Sequence, residues 1–331
     1  MKYDIFFHND FDGVASAAVM LAFLRSRGDS IERYTPVEFG IKEKWPTYPF
    51  KNSPIIVDFP YHPKAVFWFD HHPTAFMKDE WRKKFRPTKF LNWYPAYDSC
   101  CHMVLDVLVK EFGFKPPAHL KELARWLDII DGAKYKSAKQ TIDMKEAAIR
   151  LRYYIEEFGV SNKTLKTLVN YLASDSINKI VLKKDVAKGI ASLLERRERA
   201  LAFYKPSLKL IGSVVFDDET KNKVFRLRFA PFYFYPKARY GVTVKRKRQG
   251  YHITVGVNPW RKGELEFNIG EMLRAYGGGG HKQVGGLEIL HSNNAPKILG
   301  EILATLNGGI TDALKSEMKG VPALKSARAK I

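Results

Sequence analysis

The sequence contains few cysteines and no long hydrophobic run. Its 331 residues include two cysteines, and these are adjacent, at Cys100 and Cys101. Neighbouring cysteines cannot link distant segments, and they lack the paired spacing of a zinc site. No apolar stretch approaches the roughly 18 residues that a membrane-spanning helix needs, and acids occur within the first ten residues, unlike in a signal peptide. We therefore expect a cytoplasmic protein with reduced thiols and no membrane partner.

Acidic residues are also scarce relative to basic ones. Lys and Arg number 55 against 35 Asp and Glu, which leaves a formal net charge of +20. This excess favours polyanionic partners, because a protein that neutralises phosphates releases counterions from the nucleic acid. Nucleic acid is thus the leading partner class, and a generally basic surface is the alternative. The sequence leaves the oligomeric state open.

The first third of the chain alternates short apolar runs with a helical pattern at 13–28. The apolar runs cover residues 3–8, 32–40, 54–60 and 65–72, with a weaker one at 88–93. Continuous apolar runs bounded by Pro and acids are typical of buried parallel strands. The pattern predicts an α/β fold with a doubly wound, mainly parallel sheet.

The residue pattern changes in the remainder of the chain. Apolar residues at helical spacing give way, from about residue 206, to the alternation of apolar and polar residues that is typical of strands. We predict a catalytic domain over 1–150, a helical connector over 151–205, a smaller α/β domain with a mixed sheet over 206–308, and a basic tail over 309–331.

Polar residues follow three of the predicted strands. They are His8, Asp10 and Asp12 after the first strand, Asp58 after the third, and Asp70, His71 and His72 after the fourth. The carboxyl ends of parallel strands share one edge of the sheet, where ligands bind. A single Asp at a strand end is usually a cap or turn residue, but converging carboxylates repel one another unless a cation neutralises them. The sequence therefore predicts a metal cluster at this edge.

A fourth contribution is expected from the helical segment 123–135, which carries Asp128 and Asp131. Residues three apart lie near one another on a helix. We prefer Asp131, because Gly132 beside it indicates the end of the helix, and Asp128 is the alternative.

Carboxylates and imidazoles without thiolates select Mn²⁺ or Mg²⁺, and the histidines favour Mn²⁺. The number of ligands suffices for two ions. Two divalent ions about 3.5 to 4 Å apart activate a water molecule and clamp a phosphoryl group. Phosphoester hydrolysis is the predicted chemistry.

The ordered motifs "HNDFDG" (8–13), "VDFP" (57–60) and "FDHHP" (69–73), with an acid near 131, resemble those of the DHH phosphoesterase superfamily. Its members include RecJ-like single-strand exonucleases, nano-RNases, cyclic dinucleotide phosphodiesterases and some pyrophosphatases. The resemblance implies metal ligands at Asp10, Asp12, His71 and Asp131, a bridging Asp58, and a phosphate neighbour at His72. We assign Asp58, Asp70 and His72 as the candidate catalytic residues.

The first motif departs from one part of this family. In pyrophosphatase and small-dinucleotide members, three residues separate the leading His from the first Asp, whereas Asn9 alone separates His8 from Asp10 here. The compact spacing favours the RecJ-like branch. It leaves open whether His8 is a metal ligand.

A glycine run in the last third, "AYGGGGHKQVGG" (275–286), is either a flexible turn or an anion-binding loop. It resembles the GGGH motif of the DHH-associated domain, which contributes to substrate binding in this family. The resemblance implies substrate-binding residues at Gly278, Gly279, Gly280 and His281. Arg239 is a further candidate for a phosphate contact.

We therefore predict a two-metal phosphodiesterase acting on single-stranded DNA or RNA or on short oligonucleotides. One alternative is an enzyme for small substrates, such as cyclic dinucleotides, pyrophosphate or polyphosphate. The other is a nucleic-acid-binding protein with a degenerate site, which the intact set of acids disfavours because those acids would repel a polyanion.

Overall fold

The computed structural model describes residues 2–41, 43–221, 224–248, 250–264, 267–280, 282–290 and 294–309. The chain divides into two compact units. The first comprises the described parts of Met1–Tyr135 and Met144–Leu193, and the second those of Lys136–Asp143 and Leu194–Ile331. Among the described helices, none combines the length and the apolar composition required to cross a membrane.

The first unit contains a five-stranded sheet. Its strands are β1 (Lys2–His8), β2 (Ser30–Val37), β3 (Ser53–Val57), β4 (Phe67–Asp70) and β5 (Leu91–Trp93). They lie in the order β2-β1-β3-β4-β5, and every neighbouring pair is parallel, which confirms the predicted parallel sheet. The strand order reverses between β1 and β3, and open α/β sheets form their ligand crevice at the carboxyl ends beside such a point.

The described α-helices of both units are numbered here along the chain. In chain order the described α-helices are α1 (Phe11–Ser26), α2 (Asp79–Lys84), α3 (Cys100–Phe112), α4 (Ala118–Asp131), α5 (Ala138–Asp143), α6 (Ala147–Phe158), α7 (Asn162–Ser174), α8 (Ile177–Ile180), α9 (Lys184–Ser207), α10 (Ala230–Phe234), α11 (Ile269–Arg274) and α12 (Ala295–Leu306). Small residues such as Ala15 and Ala17 are fully buried in α1, which packs against β1, α3, α4 and α7. At its last turn, the Arg25 guanidinium donates hydrogen bonds to Asn170 and Ser174 of α7 at 2.6 and 3.2 Å.

The two units do not follow the domain boundaries predicted from the sequence. Helices α6, α7 and α8 belong to the first unit rather than to a separate connector, because α7 buries Leu168 and Leu172 and packs against α1 and β2. The short helix α5 belongs to the second unit, where it packs against α10. Helical spacing predicted helices in this region of the chain but not the surface that each one covers.

The second unit contains a six-stranded mixed sheet, which confirms the predicted smaller α/β fold. Its strands are β6 (Lys209–Ile211), β7 (Val214–Glu219), β8 (Tyr240–Lys247), β9 (Gly250–Val257), β10 (Gly279–Gly280) and β11 (Val284–Leu290). They lie in the order β10-β11-β9-β8-β7-β6, with β7 and β8 parallel and the other pairs antiparallel. One face buries Val242 and Val244 of β8 in a core with Leu299 and Leu303 of α12. Of the predicted basic tail, residues 310–331 lie outside the described residues.

Candidate metal centre

The chain turns sharply from β1 into α1, and this turn places acidic side chains at the edge of the sheet. Asp10 caps α1: one carboxylate oxygen accepts a hydrogen bond from the N–H of Gly13 at 3.0 Å. Its other oxygen lies 2.8 Å from Nδ1 of His8. Gly13 is required at this turn, because a Cβ there would lie 2.1 Å from the carbonyl oxygen of His8. Asp10 is therefore both a helix cap and a member of the polar cluster.

Asp12 is held by the N-terminus of a different helix. Its carboxylate is buried and accepts hydrogen bonds from the backbone N–H groups of Cys100 at 2.6 Å and Cys101 at 2.9 Å. These residues begin α3, which Ser99 caps by accepting from the N–H of His102 at 3.2 Å. The N-terminus of a helix favours a negative charge, because its backbone N–H groups point outward. The first turn of α3 thus fixes the carboxylate of Asp12.

Asp58 follows β3 in an uncommon backbone conformation. Its φ is +56°, in the left-handed region that Asp tolerates better than most residues. The N–H of Asp58 donates to the carbonyl oxygen of Phe69 at 2.8 Å. The side chain is 1% exposed, and neither carboxylate oxygen has a hydrogen-bond partner among the described residues. Because a buried ionised carboxylate is costly without compensation, this arrangement favours a cation beside Asp58.

The acid and two histidines after the aromatic strand take separate positions. Asp70, fully buried, accepts a hydrogen bond from the N–H of His72 at 3.1 Å and lies 2.7 Å from Nδ1 of the same ring. Nδ1 of His71 lies 3.0 Å from the carbonyl oxygen of Tyr97. Nε2 of His71 therefore faces the carboxylates of Asp12 and Asp58, each at 3.6 Å. Asp70 orients His72, and Tyr97 orients His71.

The structure separates the two acids near the end of α4. A carboxylate oxygen of Asp131 lies 3.5 Å from Nε2 of His71. Asp128 instead accepts a hydrogen bond from the Ser99 hydroxyl at 2.7 Å and pairs with Nδ1 of His102 at 2.5 Å. Of the two acids, Asp131 is the one in contact with the cluster, and Asp128 stabilises the start of α3.

Three groups of side chains in this cluster are arranged as potential metal ligands. They are Asp58 with His71 and His72, His8 with Asp10 and Asp58, and Asp12 with His71 and Asp131. Within each group, the ligand atoms lie within 4.8 Å of one another. Asp58 and His71 each belong to two groups and so link all three. The structure therefore brings together every residue that the sequence analysis assigned to metal binding, His8 included.

This donor set fits a hard divalent cation. Carboxylate oxygens and imidazole nitrogens are ligands of Mn²⁺, and carboxylates are ligands of Mg²⁺. Nε2 of His71 is buried without a hydrogen-bond partner among the described residues, as are both oxygens of Asp58. Nε2 of His71 lies 3.6 Å from one oxygen of Asp58, and the other oxygen lies 3.7 Å from Nδ1 of His8. Cations bound beside Asp58 would satisfy these atoms.

Electrostatics within the cluster act in opposite directions on different groups. Burial and the neighbouring carboxylates raise the pKa of Asp12 and of Asp58 well above the usual range. Burial acts to raise the pKa of Asp10 as well, but the hydrogen bond and charge of His8 outweigh it and leave that pKa lowered. Burial acts to lower the pKa of His72, but the hydrogen bond and charge of Asp70 outweigh it and leave that pKa raised. The cluster thus resists full ionisation until a cation binds.

The candidate substrate-binding glycines lie in the second unit. Gly279 and Gly280 form β10, where the sequence analysis considered a loop, and they pair with β11. A Cβ at Gly280 would lie 2.4 Å from Cα of Gly285, and one at Gly278 would lie 2.6 Å from the carbonyl oxygen of Gly286. Close strand contact thus requires glycine at these positions, and their role in substrate binding stays a prediction.

The other two substrate-binding candidates differ in what the structure describes. The guanidinium of Arg239 lies 5.8 Å from the centre of the Tyr240 ring. The residue as a whole is partly exposed, although its Nε atom is buried. His281 lies outside the described residues.

Sequence reasoning missed the groups that position the cluster. These are the N–H groups of Cys100 and Cys101, the carbonyl of Tyr97, and Nε1 of Trp93, which donates to the carbonyl oxygen of His72 at 2.9 Å. The serine at position 99 is a sequence signal for a helix start. It does not reveal which carboxylate that helix holds, because the contact joins residues 88 positions apart.

Comparisons with known proteins identify solved structures that resemble this chain. No protein-family model and no curated protein sequence matches the chain. Among solved structures, the chain is similar to the pGpG-specific phosphodiesterase PggH from Vibrio cholerae, with a TM-score of 0.74 and 20% identity over 93% of this chain and 100% of that chain. It is also similar to RecJ from Thermus thermophilus in complex with Mn²⁺, with a TM-score of 0.54 and 12% identity over 98% of this chain and 57% of that chain.

A third similar structure is an exonuclease RecJ bound to manganese, with a TM-score of 0.52 and 14% identity over 98% of this chain and 93% of that chain. The chain therefore has the fold of the DHH phosphoesterase superfamily, as its motifs predict.

Proposed function

We propose that the protein is a metal-dependent phosphodiesterase that uses two divalent ions, Mn²⁺ or alternatively Mg²⁺, to hydrolyse single-stranded nucleic acid or short oligonucleotides. The observation that carries this proposal is Asp58, a buried carboxylate whose two oxygens lack hydrogen bonds among the described residues. Asp58 is shared by two of the three potential ligand groups. A carboxylate in this position is suited to bridging two ions.

Most residues of the cluster would bind metal. Asp10, Asp12, Asp58, His71 and Asp131 would hold the ions, with His8 as a further ligand. When bound, the ions supply Lewis acidity at the phosphoryl group. Because backbone N–H groups already fix Asp12, this carboxylate needs no reorientation to bind a cation.

His72 would act on the substrate, and Asp70 would act through His72. With Nδ1 bonded to Asp70, the protonated ring keeps a donor at Nε2 for a phosphate oxygen or for the leaving oxygen. Against the effect of burial, the hydrogen bond and charge of Asp70 raise the pKa of His72 and so shift the ring toward this protonated form. In the second unit, residues 278–281 and Arg239 are the proposed phosphate contacts.

The similar structures support phosphodiester bonds as the target. Two of them are RecJ proteins with manganese, one named as an exonuclease. PggH is named as a pGpG-specific phosphodiesterase, and this favours a linear dinucleotide as the second candidate substrate. The net charge of +20 supports the longer polyanion.

A substrate panel tests the proposal. Protein stripped with chelator would be supplied with Mn²⁺, Mg²⁺ or Zn²⁺ and given labelled single strands, dinucleotides, cyclic dinucleotides and pyrophosphate. We expect hydrolysis of single strands and dinucleotides with Mn²⁺ and no activity in excess chelator. Asp58→Asn should abolish the activity, whereas Asp185→Asn, which changes an exposed acid on α9, should retain it. Full activity in chelator contradicts the proposal, and exclusive hydrolysis of pGpG selects the second candidate.

A further inference from the structure

A strongly basic segment, Lys78–Lys89, lies between β4 and β5. It carries six basic residues and two acidic ones among twelve. The basic residues are Lys78, Arg82, Lys83, Lys84, Arg86 and Lys89, and all six are exposed. Arg82, Lys83 and Lys84 form the last turn of α2, and none of the three pairs with an acid in the part of the chain that the structure describes. Three unpaired cations on one helical turn favour a polyanion.

Two aromatic residues of this segment, Trp81 and Phe85, anchor it by packing against rings elsewhere in the first unit. The ring of Phe85 lies 5.1 Å from that of Trp68 and 5.3 Å from that of Tyr61. The ring of Trp81 lies 5.4 Å from that of His62. Because the aromatic residues pack inward, the charged ends of the neighbouring basic residues stay in solvent. The cations are therefore presented on a fixed surface.

This surface continues to the candidate metal centre through Trp93. Trp93 ends β5 opposite Asp70 in the sheet register, and its Nε1 donates to the carbonyl oxygen of His72 at 2.9 Å. The guanidinium of Arg82 lies 5.6 Å from the centre of the Trp93 ring. One side of this indole thus faces a cation, and the residue it contacts is the proposed phosphate neighbour. Trp93 thus connects the basic turn of α2 to the backbone of His72.

We propose that Arg82, Lys83, Lys84 and Trp93 form a single-strand track, which binds the part of a nucleic acid strand that extends beyond the cleaved bond. The inference rests on the proposed function, because it assigns a substrate longer than a dinucleotide to the same centre. Single-stranded nucleic acid is favoured because it combines phosphates for the cations with exposed bases, which stack on aromatic and guanidinium planes. Inorganic polyphosphate would use the cations alone.

The expected effect follows from counterion release. For single strands, each phosphate contact contributes about 0.7 to the slope of log affinity against log salt concentration. Three contacts therefore contribute about 2, which corresponds to about a hundredfold in affinity at 0.1 M salt. Because the track is assigned to nucleotides beyond the cleaved bond, hydrolysis of a dinucleotide should be unaffected by its loss.

The test compares two triple variants with equal loss of charge. Arg82→Gln/Lys83→Gln/Lys84→Gln neutralises the track. Lys179→Gln/Lys184→Gln/Lys188→Gln neutralises three exposed lysines elsewhere in the same unit. For both variants and the wild type, kcat and KM would be measured with Mn²⁺ on a dinucleotide and on a labelled 15-nucleotide single strand at several salt concentrations. Thermal melts verify folding.

We expect the track variant to raise KM for the 15-nucleotide strand up to about a hundredfold and to reduce the salt slope by about 2. Its dinucleotide kinetics and metal content should match the wild type, and the control variant should match it throughout. Should the triple variant fail to fold, Lys83→Gln and Lys84→Gln alone should each raise KM about fivefold.

Equal KM values for the track and control variants, with both substrates hydrolysed, overturn the track and leave the proposed function intact. If the wild type hydrolyses neither substrate, the proposed function fails. The track is then judged on the fluorescence anisotropy of the labelled strand, which must weaken in the track variant alone. Equal competition by inorganic polyphosphate at the same phosphate concentration refutes a nucleic acid as the ligand.

Discussion

Replacing Asp58 with Asn should stabilise the metal-free protein and abolish its stabilisation by metal. The change keeps the shape of the side chain and the tolerance of Asn for a left-handed φ, so the turn after β3 is preserved. It removes a buried carboxyl group whose pKa burial and the neighbouring acids Asp12, Asp10 and Asp131 hold well above the usual range. The metal-free wild type bears the cost of that group, and the variant does not.

The size of the effect follows from burial. Replacing a buried ion pair with well-packed hydrophobic residues of similar volume is neutral or stabilising by about 1–4 kcal/mol, and we take this range as the upper scale for replacing one buried acid with its amide. For a unit of this size, 1 kcal/mol corresponds to about 2–4 °C in Tm. We therefore expect the variant in chelator to melt several degrees above the wild type. Mn²⁺ at a hundredfold excess over its Kd should stabilise the wild type by about 2.7 kcal/mol, and it should leave the variant unchanged.

The pH dependence of stability provides a second test of the Asp58 carboxyl group. An acid whose folded pKa is raised binds more protons in the folded state than in the unfolded state. The stability of the metal-free wild type should therefore fall as pH rises from the unfolded value of about 3.9 through the folded pKa of Asp58. The Asn variant should show a shallower fall over that interval, because position 58 no longer titrates.

Differential scanning calorimetry of both proteins, with and without Mn²⁺, measures these effects. Asp128→Asn is the matched control, because it removes an acid with hydrogen-bonded partners, Ser99 and His102. It should lower Tm both with and without metal. The reasoning is refuted if Asp58→Asn lowers Tm in chelator as the control does, or if Mn²⁺ still stabilises this variant as much as the wild type.

Three further predictions address the assignment of roles. Asp131→Asn should reduce kcat with Mn²⁺ by orders of magnitude more than Asp128→Asn does; the reverse order of loss in steady-state assays would assign the ligand to Asp128. His281→Ala should weaken substrate binding by about one to two decades, which is the equivalent of a charge-assisted hydrogen bond of about 1.5–3 kcal/mol. Elemental analysis should find unchanged metal content in this variant, and loss of metal would contradict the assignment. Because the pKa values of Asp12 and Asp58 are raised, Mn²⁺ affinity should fall as pH is lowered, and calorimetry in buffers of different ionisation enthalpy should detect proton release; binding without proton release would contradict the arrangement.

The sequence predicted the parallel sheet because its central strands are buried on both faces. The runs at β3 and β4 contain Ile55, Ile56 and Phe69, which are fully buried, and such runs leave no alternation for an exposed face. The polar residues that follow the strands could then be placed together, because the carboxyl ends of parallel strands meet at one edge of the sheet. The DHH-type order of motifs then indicated the fold that the comparisons confirm.

Other features depend on contacts that no local pattern encodes. The N–H groups that hold Asp12 come from a helix that starts 88 residues later, and backbone donors carry no sequence signature. A strand of two glycines, β10, has no side-chain periodicity. The association of α6 and α7 with the first unit depends on the surface of α1 that they cover. The choice between Asp128 and Asp131 could be argued only from the helix end beside Gly132.

The hydrogen bonds from Cys100 and Cys101 to Asp12 make the two cysteines an internal reporter. Both side chains are fully buried, and burial with the nearby carboxylates raises the pKa of each thiol well above its usual range. The chain contains no other cysteine. A maleimide can therefore label the protein only after the first turn of α3 opens, which is the movement that would also release Asp12. The labelling rate thus measures how often the centre comes apart in solution, without any substrate or engineered probe.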